Sequence, residues 1–274
     1  MNINKKITIM WELSLKCNLN CSFCYQTERR NKQESEINFK QAIKIIDNID
    51  TESHISFIGG ESFLFPKFME ILKYLDKKWI TYDITSNWTI IEHFIFELNK
   101  LKNLKHIIFS IDYFWEKHDI SRSYKWLFNK IKNIIPKLNT QININTIIFE
   151  DTQEKEIIKL FLSFNKLNKS NYYLLINSSY TKEEYENSKN KIKNISIKKY
   201  SDVIINYYNL NKKAIKVYKK ILKIKKILDL KTNIAMYPKY LLVNKNSCKH
   251  LENQIRINEY WNISVCHYIN NNLW

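Results

Sequence analysis

The chain has 274 residues, of which 45% are hydrophobic, and it carries a formal net charge of +17. Its length and apolar content predict one large domain, or one domain with a small appendage. The sequence contains no run of about eighteen apolar residues, which is the length that predicts a membrane span. The N-terminal segment also lacks the apolar stretch and cleavage site of a signal peptide, so we expect a cytoplasmic protein.

The positive charge comes mainly from lysine, because only four of the 44 basic residues are arginine. Isoleucine, asparagine and lysine fill the sequence, which is typical of the codons of an AT-rich genome. Sites that read nucleic acids favour arginine, whose planar guanidinium makes bidentate hydrogen bonds. The composition therefore favours a solvated lysine-rich surface and argues against a nucleic-acid partner.

Short runs of β-branched and aromatic residues predict six strands, at 6–14, 53–58, 80–85, 105–111, 140–149 and 171–177. Helical periodicity lies between them, at 39–49, 66–78, 89–100, 123–137 and 152–166. This alternation predicts a parallel sheet with right-handed crossovers, either doubly wound or an incomplete barrel.

The character of the sequence changes after residue 178. A lysine-rich helical pattern runs to about residue 230, a strand is predicted at 239–244, and a hairpin follows at 254–266. We therefore expect two units, an α/β unit at 1–178 and a mainly helical extension with a small β-hairpin at 179–274.

Three cysteines, Cys17, Cys21 and Cys24, follow the first predicted strand with the spacing C-x3-C-x2-C. In a chain without a secretion signal, clustered cysteines favour metal or redox chemistry over disulfide bonds. A structural zinc ion needs four closed ligands, whereas three thiolates fit a four-iron cluster that keeps one iron open.

The segment "CNLNCSFCY" resembles the cluster loop of the radical S-adenosylmethionine (radical SAM) superfamily, C-x3-C-x-aromatic-C, with Phe23 as the aromatic residue. The resemblance implies a partial (β/α)6 barrel of the TIM type. It also implies one 4Fe–4S cluster on Cys17, Cys21 and Cys24. The fourth iron would bind the amino and carboxylate groups of S-adenosylmethionine, with Phe23 close to the adenine.

Gly59 and Gly60, the two glycines of the sequence, stand directly before Glu61 at the end of the second predicted strand. Average usage is about 7% glycine, so their retention indicates a backbone that approaches a neighbour closely or adopts a positive φ. The family carries a Gly-Gly-Glu motif at this place. The resemblance implies that Gly59, Gly60 and Glu61 bind the ammonium of the methionine moiety.

Two further segments resemble the family. Ser86 and Asn87 match its Thr-Asn-Gly segment, with Trp88 in the place of glycine. The segment "SIDYFWEKHDISR" resembles one of the branch that modifies peptides and proteins, with Tyr113 in the place of glycine.

The second segment implies cofactor roles for three residues. Ser110 and Asp112 would lie near the ribose, and Arg122 would pair with the methionine carboxylate. For His118 and Asp119, helix capping and loop packing are the favoured interpretation.

The two remaining cysteines, Cys248 and Cys266, lie in the extension. The spacing from Trp261 to Cys266 resembles the SPASM or twitch extension of the peptide-modifying branch, but too few cysteines remain for an all-protein auxiliary cluster. We expect a truncated remnant without a cluster. A zinc site with His250 and His267, or two buried thiols, are the alternatives.

The resemblance implies an enzyme that reductively cleaves S-adenosylmethionine to a 5′-deoxyadenosyl radical and abstracts a hydrogen atom from its substrate. We expect a ribosomally made peptide or protein, modified by cross-linking, thioether formation or epimerisation. The expected partners are a flavodoxin or ferredoxin as electron donor and a separate leader-peptide-binding protein. The alternatives are modification of RNA or a small molecule, and a degenerate barrel that binds a partner without catalysis.

Overall fold

A computed structural model of the chain describes residues 7–24, 26–30, 37–149, 151–165, 170–176, 215–228, 234–237, 254–257 and 263–264. Nine strands within these ranges form one sheet. The strands are β1 Thr8–Glu12, β2 His54–Ile58, β3 Thr81–Ser86, β4 Leu104–Ser110, β5 Gln141–Ile148, β6 Ser170–Ile176, β7 Ile234–Tyr237, β8 Gln254–Ile257 and β9 Ile263–Ser264. Their order is β7-β6-β5-β4-β3-β2-β1-β8-β9, and every pair is parallel except β8 with β9.

Helices connect the strands. They are α1 Thr27–Arg30, α2 Phe39–Asp47, α3 Phe68–Lys77, α4 Ile95–Leu98, α5 Glu116–Ser121, α6 Leu127–Ile134, α7 Glu154–Asn165 and α8 at 215–227. Strands β1 to β6 occur in the sheet in the order in which they occur in the chain, as expected for repeated crossovers through helices. None of the described helices is long and apolar enough to cross a lipid bilayer.

The two faces of the sheet differ in polarity because successive side chains of a strand point in opposite directions. On β2, Ile55 and Phe57 are fully buried, whereas Ser56 is partly exposed. The Phe57 ring packs edge-on against Phe68 of α3 with centroids 5.2 Å apart. The apolar face therefore lies under the helices, and the half-exposed polar face forms the inner side of the barrel.

The partial barrel is confirmed. All six strands expected from the sequence are present, and within the described residues no strand pairing joins β7 to β9 to close the sheet. The core is one cluster of buried apolar side chains to which α2, α3, α6, α7 and α8 all contribute. Burying a Phe or Leu side chain contributes roughly 1.5–3 kcal/mol, so this cluster is the main source of stability.

The helices between β4 and β5, close to the site, differ from the sequence pattern. The single helix expected at 123–137 begins at Leu127, and the separate helix α5 precedes it. The reason is local, because Ser123 and Trp126 both have a positive φ, which an α-helix does not accept.

The C-terminal part of the chain supplies strands to both edges of the sheet. Strand β7, which the sequence pattern missed, pairs with β6, and β8 pairs with β1. The expected hairpin is present as β8 and β9, with Arg256 opposite Ser264. The strand expected at 239–244, and Cys248 and Cys266, lie outside the described residues. The division at residue 178 stays a prediction.

Candidate cofactor site

The expected site residues follow the carboxyl ends of four neighbouring strands. Cys17 lies after β1, Glu61 after β2, Asn87 after β3 and Asp112 after β4. The carboxyl ends of parallel strands form one edge of the sheet, where barrel enzymes carry their active sites. The fold therefore brings residues together that are far apart in the sequence.

Gly59 and Gly60 pack against the backbone that leads into the cysteine loop. The Gly60 N–H donates to the Ser14 carbonyl at 2.9 Å, and the Glu61 N–H donates to the Lys16 carbonyl at 2.7 Å. A Cβ atom on Gly60 would lie 2.1 Å from the Lys16 oxygen, and Gly59 has a φ of +114°. Contact between two segments of the chain thus requires both glycines, and their contact with a ligand stays a prediction.

Glu61 is completely buried and is surrounded by hydrogen-bond donors. The Ser86 hydroxyl donates to its two oxygens at 3.0 and 3.2 Å, the Asn87 N–H at 2.6 Å and the Phe63 N–H at 3.3 Å. Burial raises the pKa of Glu61 to about 7, although these hydrogen bonds oppose the rise. Near neutral pH the Glu61 carboxyl group is therefore close to its pKa. A ligand ammonium would hold it in the charged form.

Asn87 connects the end of β3 to the cysteine loop. Its Nδ2 atom donates to Asn18 Oδ1 at 2.9 Å and lies 3.5 Å from Cys17 Sγ. The next residue, Trp88, has a φ of 69° and is fully buried, with its ring centroid 4.5 Å from that of Phe109. Trp88 keeps the left-handed backbone that glycine adopts freely, and packing of its ring supports this conformation.

Cys17, Cys21 and Cys24 are free, partly exposed thiols. Burial raises the pKa of Cys21 to about 11, Arg122 opposes the rise, and the other two thiols add to it, so the three groups are close enough to interact. In the described part of the chain, no three Cys, His, Asp or Glu side chains converge closely enough to hold a single metal ion.

The surroundings of the sulfur atoms fit a thiolate-bound cluster. Nitrogen donors face two of them, because Arg30 Nη2 lies 3.7 Å from Cys24 Sγ and Asn87 Nδ2 lies near Cys17. The Arg122 guanidinium acts on Cys21 through its charge. Donors and cations of this kind stabilise thiolates and tune iron–sulfur clusters. The three thiols and their neighbours therefore fit a 4Fe–4S cluster.

Arg122 forms a buried ion pair with Asp112. Its Nη2 and Nε atoms donate to Asp112 Oδ2 at 2.6 and 3.2 Å, and the Ile147 N–H donates to Oδ1 at 3.1 Å. Asp112 is completely buried, and the side chain of Arg122 is 8% exposed. Two donors of the guanidinium thus face a carboxylate of the chain itself. A contact of Arg122 with a ligand carboxylate stays a prediction.

An aromatic stack continues from the cysteine loop. The Phe23 ring lies 4.9 Å from that of Phe149, which is stacked on Tyr113 with centroids 5.4 Å apart and an interplanar angle of 13°. The Arg122 guanidinium also lies over the Phe23 ring, with its Cζ atom 5.3 Å from the centroid. The Tyr113 hydroxyl donates to Asp151 at 2.8 Å. Phe23 therefore contacts both a cation and an aromatic ring.

Helix α5 packs beside the cysteine loop, and capping and packing are confirmed for His118 and Asp119. The Phe128 N–H at the start of α6 donates to Asp119 Oδ1 at 2.8 Å. His118 is completely buried, with its ring centroid 6.3 Å from that of Phe128. Burial holds the pKa of His118 well below its usual range, with Arg122 as a smaller cause, so the ring is neutral.

Ser110, the last of the residues expected from the sequence, lies on the inner face of the sheet. Ser110 ends β4, is partly exposed, and is in register with Asn145 of β5. Asn143 lies two residues earlier on β5 and is buried. The fold places Ser110 beside Asp112, whereas the ribose contacts of both stay a prediction.

Sequence reasoning missed several polar residues of this edge. Glu12 is completely buried at the end of β1, and Gln26 Nε2 donates to its Oε1 at 2.8 Å. Arg30 Nη1 donates to the Leu19 carbonyl at 2.8 Å inside the cysteine loop. An acid within the apolar run "ITIMWELSL" was the available signal for Glu12, and the scarcity of arginine was the signal for Arg30.

The known proteins most informative for this chain are archaeal relatives and solved bacterial structures. An uncharacterised protein of Methanocaldococcus jannaschii is 34% identical over 122 residues, which are 43% of this chain and 42% of that protein. Fe-coproporphyrin III synthase of Methanosarcina barkeri is 27% identical over 128 residues, which are 46% of this chain and 32% of the enzyme. The chain thus matches less than half of the length of either relative.

Two solved structures share the fold. SuiB of Streptococcus suis bound to S-adenosylmethionine superposes with a TM-score of 0.77 at 14% identity, covering 98% of this chain and 62% of SuiB. The structure of anSMEcpe with AdoMet and the Cp18Cys peptide gives a TM-score of 0.60 at 14% identity, covering 98% and 76%. At these identities the likeness concerns the fold.

The family assignment comes from the sequence of the barrel. The sequence model of the Radical SAM superfamily matches residues 11–163, which are more than half of the 274 residues and contain the cysteine loop and the Gly-Gly-Glu segment. The chain therefore belongs to the radical SAM superfamily.

Proposed function

We propose that this chain is a radical SAM enzyme that abstracts a hydrogen atom from a ribosomally made peptide or protein. The proposal is carried by one observation. The free thiols Cys17, Cys21 and Cys24 lie at the sheet edge that also holds the buried carboxyl group of Glu61. When bound, the reduced cluster supplies the electron that splits S-adenosylmethionine into methionine and a 5′-deoxyadenosyl radical.

The residues of the chain divide the work of binding. Cys17, Cys21 and Cys24 would hold three irons of one cluster, while the Glu61 carboxylate would accept hydrogen bonds from the ligand ammonium. The ion pair of Arg122 with Asp112 holds a guanidinium near Cys21, where its charge favours the thiolate. The same guanidinium is the candidate partner for the ligand carboxylate.

Apolar packing around the loop would exclude water from the reacting atoms. Phe23 contacts Phe149 and Arg122, and Phe149 in turn stacks on Tyr113. A water-poor site strengthens electrostatic contacts and protects a reactive radical from side reactions. The protein thus supplies orientation and exclusion, and the cofactor supplies the difficult chemistry.

A peptide substrate is favoured by the inner face of the barrel and by the fold. Ser56, Thr85, Ser110 and Asn145 are partly exposed there and offer neutral hydrogen-bonding groups that suit a peptide backbone. SuiB, with its precursor peptide SuiA, superposes on the chain with a TM-score of 0.75. A modified small molecule is the second candidate, because Fe-coproporphyrin III synthase is a relative in sequence.

Anaerobic reconstitution tests the proposal. We expect about four irons per chain, an electron spin resonance signal after dithionite reduction, and 5′-deoxyadenosine when S-adenosylmethionine is added. Serine at Cys17, Cys21 or Cys24 should abolish all three signals. Serine at Cys248 is the matched control and should leave the iron content unchanged. A wild-type chain that binds no cluster, or forms no 5′-deoxyadenosine, would refute the proposal.

Substrate class is tested with the same assay. A candidate precursor peptide should stimulate 5′-deoxyadenosine formation and leave with an altered mass, while a tetrapyrrole should do neither. Stimulation by the tetrapyrrole alone would favour the small-molecule alternative.

About eight irons per chain would contradict the expectation of a single cluster.

A further inference from the structure

The segment from Trp115 to Trp126, which contains α5 and leads into α6, presents large apolar side chains to solvent beside the cysteine loop. Trp115 is 45% exposed, Ile120 is 77% exposed and Trp126 is 60% exposed. Ring contacts hold Trp115 against Phe128 with centroids 6.0 Å apart, whereas Ile120 and Trp126 keep most of their surface in water. Exposed aromatic and aliphatic side chains within one short segment, residues 115–126, are a feature of binding faces.

The backbone that carries these side chains is strained. Trp115, Ser123 and Trp126 have φ values of 55°, 53° and 66°, in a region that residues other than glycine rarely adopt. The surrounding structure must hold such conformations in place, and they cluster where proteins bind ligands or partners. The backbone conformation of Trp126 is thus maintained at a cost in free energy.

Two hydrogen bonds attach this surface to the outside of the cysteine loop. The Ser22 N–H donates to the Ser121 carbonyl at 3.3 Å, and the Ser123 hydroxyl donates to the Asn20 carbonyl at 3.2 Å. Asn20 and Ser22 are exposed and lie between Cys17 and Cys24 in sequence. A protein that contacted Ile120 and Trp126 would therefore also reach the outer side of the loop.

Exposed charges of both signs belong to this segment of the chain. Lys125 is exposed, with its Nζ atom 5.6 Å from the centroid of the Trp126 ring. Glu116 on α5 is the exposed acid nearby, and the Asp119 carboxylate accepts the Phe128 N–H. The whole chain carries a net charge of +17, so an acidic partner would be attracted from a distance.

We propose that the α5–α6 surface formed by Ile120, Lys125 and Trp126, together with Asn20 and Ser22, is the docking site of an acidic, low-potential electron-carrier protein. This inference rests on the proposed function. Each cleavage of S-adenosylmethionine consumes one electron, so the carrier is oxidised by one electron and the cluster is reduced by one. Docking against the outer side of the cysteine loop gives the electron a short path to the cluster.

A comparison of two reductants tests the docking site. Dithionite is a small reductant that needs no docking surface, whereas a reduced acidic flavodoxin must bind before it transfers its electron. In the double variant Ile120→Ser with Trp126→Asn, we expect the flavodoxin-driven rate of 5′-deoxyadenosine formation to fall at least about tenfold at subsaturating carrier. The dithionite-driven rate should stay within about twofold of wild type.

Two further variants sharpen the comparison. Lys125→Glu should weaken flavodoxin binding to the reconstituted holoenzyme, and raising the salt concentration should shrink the difference from wild type. Trp79→Asn is the matched control, because Trp79 is also an exposed tryptophan with a positive φ, 71% exposed and 61°. Trp79 lies just before β3 at the opposite edge of the sheet, so both rates should match wild type.

The outcomes separate this inference from the proposed function. Failure of the dithionite arm in the wild-type protein would refute the proposed function and the docking site with it. A double variant whose flavodoxin-driven rate equals wild type would refute the docking site alone. Loss of peptide modification at an unchanged flavodoxin-driven cleavage rate would reassign the surface to the substrate. A change from dimer to monomer in the double variant, without an effect on flavodoxin, would reassign it to a second copy of the chain.

Discussion

The backbone of Gly60 lies in direct contact with that of Lys16, so that a Cβ atom on Gly60 would be 2.1 Å from the Lys16 carbonyl oxygen. Lys16 precedes Cys17, and the Glu61 N–H donates to the same carbonyl. The Gly-Gly-Glu segment therefore supports the cysteine loop through the backbone. Any change that moves segment 14–16 should also move Cys17, the first of the proposed cluster ligands.

Gly60→Ala should accordingly impair the cluster as well as the binding of S-adenosylmethionine. We expect a loss of about 1–3 kcal/mol in unfolding free energy from the overlap, and iron content below half of wild type after reconstitution. Denaturant titration and iron analysis check the two effects. Glu52→Ala, at an exposed position before β2, is the control and should change neither. Full iron content in Gly60→Ala would show that the loop tolerates the displacement.

Binding of S-adenosylmethionine should depend on the ionisation of Glu61. Its pKa is raised to about 7, and only the carboxylate attracts an ammonium. We expect affinity to rise about five- to tenfold between about pH 6 and pH 7.5, measured by anaerobic equilibrium dialysis. The contribution of Glu61 to folding stability changes in the opposite direction with pH. Because folding raises its carboxyl pKa from 4.5 to about 7, Glu61 stabilises the fold fully below pH 4.5, and this stabilisation is lost as the pH rises through about 7.

Two variants check the role of Glu61. Glu61→Gln should bind more weakly and without this pH dependence. Ser86→Ala removes a hydroxyl that lowers the pKa of Glu61, so the midpoint should move to higher pH. An unchanged midpoint in Ser86→Ala would assign the titration to another group.

The buried ion pair of Asp112 and Arg122 should contribute to stability because each side chain compensates the charge of the other. Asp112→Asn leaves the Arg122 guanidinium buried without its counter-charge, and removing one partner of such a pair costs about 3–5 kcal/mol. The double variant Asp112→Asn with Arg122→Gln should recover part of this loss. Chemical denaturation of the four proteins of the cycle measures the coupling. Additive losses would mean that the two side chains act independently.

A second network lies at the opposite edge of the sheet. Asp83 accepts from His54 Nε2 and His106 Nδ1, both at 2.9 Å. Burial alone would raise the pKa of Asp83, but the hydrogen bonds from His106 and His54 outweigh it and hold the pKa below 3.8. Its contribution to stability is therefore present above that value and lost as the pH falls through the lowered pKa.

Asp83→Asn should remove this contribution. We expect the variant to lose about 1–3 kcal/mol near pH 7, and to lose less further stability on acidification below about pH 4 than wild type. Thermal unfolding across pH checks both effects. Asp47→Asn, at an exposed carboxylate paired with Lys78, is the control and should behave nearly as wild type. Equal acid sensitivity of Asp83→Asn and wild type would contradict the assignment.

The sequence by itself determined the family and the six strands β1 to β6, because these features follow from local patterns, and it predicted the three cysteine ligands. Periodicity marks β1 to β6, and the spacing of Cys17, Cys21 and Cys24 follows from their position in one loop. The rarity of glycine also marked Gly59 and Gly60 as constrained positions. It did not reveal that the constraint includes the neighbouring backbone of Ser14 to Lys16.

The tertiary structure decided the contacts between residues that no local pattern pairs. It placed Asp112 against Arg122, Glu61 under Ser86, and β8 beside β1, none of which any local pattern encodes. The helix expected at 123–137 also begins later, at Leu127, after the left-handed backbone at Ser123 and Trp126. Burial and pairing act between residues distant in sequence, and only the folded chain brings those residues together.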